Sequence, residues 1–324
     1  MTPRHGQTRA PDPCRVEAYA GSVSEKLPAV AEARLAEIRS SGTWGSALSA
    51  EEFAAIRSVG FEPVGQVFGA AVYSAGSTSG YSCPGAQGSS GGGLPPRPAT
   101  QVSGQGGLGS FGPLVQTMDL ARHTAVSRMI TECAALGGHG VVGVRLSRES
   151  FPLGGPQFTA LGTAVRVPGA PYGQTAPFTG EVSGQDFAKL IMAGWVPAGL
   201  VLGISIGSRH DDRRTNRQAR WGSGNAEVAG WTELVSQSRH DARHQLENDV
   251  KRLGADGVVI ATMEMRVRER DCPETVGRRD HIVEATLIGT AVARFSPAEQ
   301  SHGGPAVAIM SLGPQRLQVA RVQI

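Results

Sequence analysis

Apolar residues recur at helical spacing in two long segments of the chain. In segment 118–136 the intervals between them are seven, four, four and three residues, which place them on one face of an α-helix. Segment 235–253 repeats these intervals. The two sets are Met118, Ala125, Met129, Cys133 and Leu136, and Val235, Ala242, Leu246, Val250 and Leu253. Because glycine takes the positive φ of a helix end without steric cost, Gly137 and Gly254 are the expected ends of two equivalent helices.

Runs of strand-like composition flank each of these helices. The runs before them are 61–73 and 195–206, and each follows a short helix that begins at a serine, Ser49 or Ser183. Glu52, three residues after Ser49, completes a capping box. Two further runs follow each long helix, 141–148 and 157–167 in the first half and 258–268 and 282–294 in the second. The pattern predicts an α/β fold of the α+β class, with a short helix and a two-layer β-α-β-β unit in each half.

The two halves also share residue identities in the same order. Residues from Ser49 to Gly69 match residues from Ser183 to Gly203 at an offset of 134, and later blocks match at offsets of 117 and 127. Such a repeat, with insertions confined to loops, indicates a duplicated folding unit. We predict an N-terminal extension with a short helix over 1–48, a first unit over 49–167, a linker over 168–182, a second unit over 183–295 and a tail over 296–324.

Two insertions have the composition of loops. Residues 74–112 are rich in Gly, Ser and Pro with a single charge, Arg97, and we expect them to be flexible. Residues 208–224 carry several arginines beside two aspartates. A solvent-exposed loop is the favoured interpretation, and a site for RNA, phosphate groups or an acidic protein is the alternative. The arginines are Arg209, Arg213, Arg214, Arg217 and Arg220.

The last strand of the first half has no properly polar face. Leu161, Thr163 and Val165 lie on one side of it, and small residues lie on the other. One helix covers only one face of a sheet. When the other face is in water, apolar and polar residues normally alternate along each strand. We therefore expect the second face to pack against another unit, within the chain and between chains.

The two halves share a set of motifs in the same order. In the first half they run from Ala121-Arg122 to Val142 and include the strand Gly162-Thr163-Ala164-Val165. In the second half they run from Arg239 to Val259 and include Gly289-Thr290-Ala291-Val292, with Ser238 in place of the alanine. These motifs resemble those of the YbjQ family, a group named for heavy-metal binding. The resemblance implies dodecin-like subunits that assemble as a ring. For a chain of two units, it implies either two stacked rings of five units or one ring of six.

Composition narrows the possible function classes. The chain of 324 residues has a formal net charge of +3, so a broad basic surface for nucleic acid is not indicated. Its four cysteines are far apart in the sequence, which argues against a disulfide framework or a zinc cassette. Cys133 belongs to the apolar stripe of the first long helix, and Cys272 is expected in a loop without a partner. No apolar run approaches the ~20 residues of a membrane span, and no signal-peptide core is legible, so we expect a cytoplasmic protein.

Two arginines at matching places are candidates for a ligand or interface site. Arg122 and Arg239 fall within the apolar stripes, where a guanidinium must be paired. A clamp on a carboxylate or on carbonyl groups at a junction between units is the favoured interpretation, and an anion-binding pocket is the alternative. Glu132 and Asp249 are candidate carboxylates for such pairs.

Histidines and threonines recur in the same way. His240 matches His123, and His244 lies one turn after His240, at a spacing that can share a metal ion. Solvent-exposed helix histidines are the favoured interpretation, because two ligands do not complete a site. Thr163 and Thr290 recur at matching places in the last strand of each half. The favoured reason for a threonine there is its high β-propensity, and ligand binding by its hydroxyl is the alternative.

Spacing identifies no nucleophile, general base or phosphate-binding loop. The leading hypothesis is therefore a non-enzymatic, ring-forming oligomeric binding or scaffold protein whose ligand is unknown. The alternatives are a heavy-metal-binding protein, with a divalent ion as its cofactor, and an enzyme whose site forms at junctions between units.

Overall fold

The computed structural model describes residues 27–74, 100–105, 111–150, 155–171, 176–220, 224–272 and 277–294. The helices are α1 (Ala29–Ser41), α2 (Ala50–Ser58), α3 (Gly112–Ala135), α4 (Gly184–Met192), α5 (Arg213–Gln218) and α6 (Ala229–Arg252). The strands are β1 (Glu62–Val72), β2 (Thr100–Val102), β3 (Gly140–Ser150), β4 (Pro156–Arg166), β5 (Phe178–Thr179), β6 (Trp195–His210), β7 (Gly257–Asp271) and β8 (Arg279–Arg294). The predicted α+β class is confirmed. Within the described ranges, no helix has the length and hydropathy needed to cross a membrane.

In the first half, the long helix α3 packs on a sheet with the strand order β1-β4-β3-β5. Strand β4 lies between β1 and β3 and is antiparallel to both. The stripe predicted for α3 is buried, since Met118, Ala125, Met129 and Cys133 are at most 7% exposed. Helix and sheet approach closely at Gly69, where a Cβ atom would lie 1.9 Å from the backbone oxygen of Ala125.

In the second half, α6 packs on a sheet with the strand order β2-β6-β8-β7, whose short strand β2 lies beside β6 and not beside β7. Strand β8 lies between β6 and β7 and is antiparallel to both. Ala242, Leu246 and Val250 of α6 are buried against this sheet. Gly203 has the same close contact as Gly69, because a Cβ atom there would lie 1.9 Å from the oxygen of Ala242. The dodecin-like form of each unit and the division into five segments stay predictions.

Helix α3 lies between the two sheets. Its own sheet is on one side, and on the other side it meets the face of β6 that points away from α6. That face carries Leu200, Leu202, Ile204 and Ile206. The layers therefore run first sheet, α3, second sheet, α6. Strand β6 of the second sheet is covered on both faces, whereas alternate residues on the outer face of the first sheet are partly open: Phe68 is 42% and Val72 49% exposed.

The short helices α2 and α4 begin as the sequence predicts. The backbone N of Glu52 donates to the hydroxyl of Ser49, and the Glu52 carboxylate accepts from the backbone N of Ser49. At α4 the hydroxyl of Ser183 accepts from the backbone N of Asp186. The two helices pack on each other, which ties the halves together a second time. The core around them contains Ile56, Val142, Val165, Val182 and Phe187.

Two segments expected to be irregular contain strands. In the linker, β5 pairs in parallel with Gly140 and Val141 of β3. From the insertion 74–112, β2 crosses to the second sheet and pairs with β6. Residues 75–99 and 106–110 lie outside the described residues, so their expected flexibility stays a prediction.

The expectation of a solvent-exposed loop at 208–224 is confirmed in part. Arg213, Arg214, Arg217 and Arg220 are exposed, but much of the described segment is regular structure and Arg209 is buried. Strand β6 continues to His210, and α5 occupies Arg213–Gln218. The side chain of Arg209 is buried and donates to Thr100 at 2.6 Å and to Glu233 at 2.8 Å. Its burial is tolerated because two distant segments supply acceptors for its charged group.

Candidate functional site

A buried arginine joins the two halves of the molecule. The side chain of Arg122 on α3 is 1% exposed and donates to Asp249 on α6 at 3.3 Å and to Asp119 at 2.8 Å. Asp249 also accepts from the backbone N of Leu202 at 3.4 Å. Because carboxylates from both halves hold the guanidinium, the cost of burying these charges is offset. The geometry is that of a structural clamp.

His123 extends this cluster towards the surface. Its Nε2 lies 3.4 Å from Asp119 Oδ2 and 2.6 Å from Nη2 of Arg122. Burial acts to raise the pKa of Asp119, but hydrogen bonds and charges from His123 and Arg122 outweigh it and hold that pKa well below its usual range. Asp119 is therefore ionised at neutral pH and poorly suited to general acid catalysis.

Arg239 occupies the matching place on α6 in a different environment. It is exposed, and its Nη2 lies 3.7 Å from Sδ of Met263. The prediction that Arg239 lies within a buried stripe was therefore wrong. The reason is the order of layers: α3 has a sheet on each side, whereas α6 packs on the second sheet and presents its other side outward.

Glu132 and Asp249 do the same task in the two halves. The carboxylate of Glu132 accepts from the backbone N of Phe68 on β1 at 2.7 Å, as Asp249 does from Leu202 on β6. Glu132 is also paired with Arg34 of α1. These acids thus satisfy backbone N–H groups of the strands beside their helices.

Thr163 and Thr290 are fully buried. Oγ1 of Thr163 accepts from the backbone N of Ala47 at 3.3 Å, and Oγ1 of Thr290 accepts from the backbone N of Glu181 at 2.9 Å. The two segments so anchored lead into α2 and α4. Both hydroxyls therefore have an equivalent structural task.

His240 and His244 are exposed and line an open groove on α6. Asp241 between them turns away, and its carboxylate accepts from Ser205 Oγ at 2.6 Å and from the backbone N of Gly104 at 3.1 Å. Across the parts of the chain that the structure describes, no group of three metal-binding side chains includes either histidine. His240 and His244 therefore offer two potential ligands for a metal ion, without a third in the described structure.

A histidine, a cysteine and an aspartate meet at one end of the second sheet. The β6–β8 ladder places His210 opposite Asp280, and His210 Nδ1 lies 2.8 Å from Asp280 Oδ1. Cys272 follows the last residue of β7. One potential ligand atom from each residue lies within 4.8 Å of the other two. Asp280 and Cys272 are buried, and His210 is partly exposed.

Sequence reasoning missed this cluster. The expectation that Cys272 lies in a loop is confirmed, since it follows the end of β7, but the expectation that it has no partner was wrong, since it is buried beside His210 and Asp280. The three residues share no motif, and only strand register brings them together. One signal was available: His210-Asp211 and Asp280-His281 are mirrored dipeptides that lie close to the ends of two predicted strands of the same unit.

A second group of polar side chains stabilises this end of the sheet. His281 Nδ1 lies 3.2 Å from Asp211 Oδ1, and its Nε2 lies 3.2 Å from Glu269 Oε1. Burial acts to lower the pKa of His281, but hydrogen bonds and charges from these carboxylates outweigh it and raise that pKa. Trp231 Nε1 also donates to Asp211 at 3.1 Å. The strand ends are therefore held by several contacts.

The model of a family described as "Putative heavy-metal-binding", the YbjQ family, matches residues 105–168. This match supports the resemblance in the first half, and a second copy stays a prediction. In the described part of the matched segment, no three His, Cys, Asp or Glu side chains are grouped to hold a metal ion. No solved structure matches the chain.

A relative from Mycobacterium tuberculosis matches over most of both proteins. It is named an encapsulin nanocompartment protein and is 32% identical over 290 residues, which cover 85% of this chain and 95% of the relative. A match of this extent includes parts of both sheets. The chain therefore belongs to the same family as this encapsulin nanocompartment protein.

Proposed function

We propose that this chain is a non-enzymatic subunit that associates with further copies of itself and forms part of an encapsulin-type nanocompartment. The place in a nanocompartment is supported by the relative, whose printed name is that of a nanocompartment protein. The association with further copies is supported by one surface of the molecule, the outer edge of the second sheet.

Strand β7 forms that edge and is fifteen residues long. Met263, Met265 and Val267 on it are 55%, 42% and 59% exposed. Strand alternation puts the three on one face, and the contact of Arg239 with Met263 identifies this face as the side of α6. A long, exposed edge strand with one apolar face can pair with another strand through its free N–H and C=O groups. This edge is the observation that carries the proposal.

The β7 strand of a second copy fits this edge. In an antiparallel pair centred on Met265, Met263 of one copy lies opposite Val267 of the other, and Glu264 lies opposite Arg266. Glu264 and Arg266 are both exposed and already lie within 3.4 Å of each other in one chain. Apolar residues would thus face apolar residues, and each acid would face a base.

The contacts of the candidate residues support a non-enzymatic function. Arg122, Asp249 and both buried threonines are engaged in contacts that hold the fold together. Burial raises the pKa of Cys133 to about 12, so its thiol is not a nucleophile near neutral pH. An enzyme would need reactive groups that these residues do not supply.

Native mass spectrometry of the untagged protein tests self-association. We expect an oligomer with an even number of chains. Met265→Glu should halve its mass, because two like charges would meet at the centre of the strand pair. Ala54→Glu adds the same charge at an exposed position of α2 and should leave the mass unchanged.

A wild-type protein that stays monomeric at micromolar concentration would contradict self-association. A trimer or pentamer would favour the ring arrangements over the β7 pair. Proteomic analysis of compartments isolated from the native host tests the place in a nanocompartment, and consistent absence of this chain would contradict it.

A further inference from the structure

We propose that His210, Cys272 and Asp280 form a binding site for a divalent transition-metal ion, with zinc as the best match. The inference goes beyond the proposed function, because a single chain contains all three side chains. It concerns the second half of the molecule, outside the segment 105–168 that matches the heavy-metal family model.

The donor set is one that zinc prefers. An imidazole nitrogen, a thiolate sulfur and a carboxylate oxygen are its usual protein ligands, at about 2.0–2.3 Å. Bonds of this length place the ligand atoms of a tetrahedral ion roughly 3.3–3.7 Å apart. The potential ligand atoms here all lie within 4.8 Å of one another, so small side-chain rotations would close the site. Three protein ligands leave a fourth position for water or a further ligand.

The charges also balance. On binding, the thiol proton of Cys272 leaves to solvent, and the thiolate with the Asp280 carboxylate offsets the two positive charges of the ion. The imidazole of His210 binds as a neutral ligand. The occupied site is then neutral, as its burial requires, since Asp280 is fully buried and Cys272 is 6% exposed.

The surrounding structure holds the ligands in place. His210 and Asp280 are opposite residues in the β6–β8 ladder, which fixes their separation. The backbone N of Cys272 donates to the oxygen of Arg278 at 2.9 Å, which closes the end of the β7–β8 hairpin. Nε of Arg270 lies 4.0 Å from Oδ2 of Asp280 and can orient the carboxylate. Metal sites depend on such second contacts.

Two candidate sites in one chain give a matched comparison. His240 and His244 have helical spacing for a metal but are exposed and without a third ligand in the described structure. A zinc ion should therefore prefer the buried cluster, and removal of the exposed pair should not affect its binding.

Cobalt and zinc titrations of the full-length, untagged protein test this proposal. After chelator treatment under reducing conditions, Co²⁺ should give a thiolate-to-cobalt charge-transfer band that saturates at one equivalent per chain. Competition with a chromophoric chelator then gives the Zn²⁺ affinity. Cys272→Ser should abolish the band and weaken Zn²⁺ binding more than about 100-fold, because loss of a ligand should exceed the effect of losing a second-shell contact. The double variant His240→Ala/His244→Ala should retain both.

Circular dichroism checks that each variant is folded, and His210→Gln replaces Cys272→Ser if the latter does not fold. Absence of Zn²⁺ binding in the wild type would overturn the proposal, as would a folded Cys272→Ser variant with an unchanged band. Loss of binding in the double variant alone would place the ion on α6 and also overturn it. None of these results depends on the oligomeric state measured by native mass spectrometry.

Discussion

At the scale of single residues, identical side chains at equivalent places have opposite environments. Arg122 is buried and shared between the halves, whereas Arg239 is exposed on α6. The sequence alone could predict that a buried guanidinium needs a carboxylate. It could not predict which of the two would be buried, because that depends on which helix lies between two sheets.

This contrast can be measured by replacing each arginine. Arg122→Ala should lower the free energy of unfolding by about 3–5 kcal/mol, because it leaves the buried charge of Asp249 without one of its partners. Arg239→Ala should change it by less than about 0.5 kcal/mol, as is usual for exposed positions. Urea denaturation of both variants gives the comparison. Similar losses would contradict the clamp.

At the scale of secondary-structure elements, close contact between helix and sheet depends on glycine. Gly203→Ala should lower the free energy of unfolding by about 1–3 kcal/mol, because the added Cβ atom forces α6 away from β6. Gly45→Ala is the control, since its Cβ atom would meet nothing within 4 Å and its φ is not positive. The control should stay within about 0.5 kcal/mol of the wild type in thermal or urea unfolding. A neutral Gly203→Ala would show that α6 can shift without cost.

Periodicity predicted the long elements well because their burial follows a regular spacing. It predicted the bounds of β1, β3, β4, β7 and β8 within three residues, and it predicted α3 and α6 but began each six residues late. It missed β2, because three residues are too few to show a period. It also ended β6 too early, because charged Arg209 continues the strand with partners from distant segments. The His210, Cys272 and Asp280 cluster was invisible for a related reason, since strand register alone assembles it.

At the scale of the whole molecule, the order of the four layers gives corresponding positions of the two halves different degrees of burial. Leu202 and Phe68 correspond at the offset of 134, but Leu202 is 3% and Phe68 42% exposed. Leu202 lies against α3, whereas Phe68 lies on the outer face of the first sheet. The sequence predicted that a sheet face would need a neighbour, and α3 is that neighbour for the second sheet.

We expect alanine substitutions at these two positions to lower the free energy of unfolding by different amounts. Leu202→Ala should lower the free energy of unfolding by about 2–5 kcal/mol, because it opens a cavity between α3 and the second sheet. Phe68→Ala should cost less than about 1 kcal/mol in a dissociated chain, since its side chain is already partly in water. Denaturation at low protein concentration checks both values. Equal losses would show that the outer face of the first sheet is covered as well.

The pairing of β2 with β6 bears on how the chain folds during its synthesis. Thr100 leaves the ribosome 109 residues before Arg209, the residue opposite it in the ladder. Until then α3 has its own sheet but lacks the leucines and isoleucines of β6 that cover its other side. A nascent first half therefore exposes an apolar helix face and an unpaired short strand, which are surfaces that favour aggregation until the second half has been synthesised.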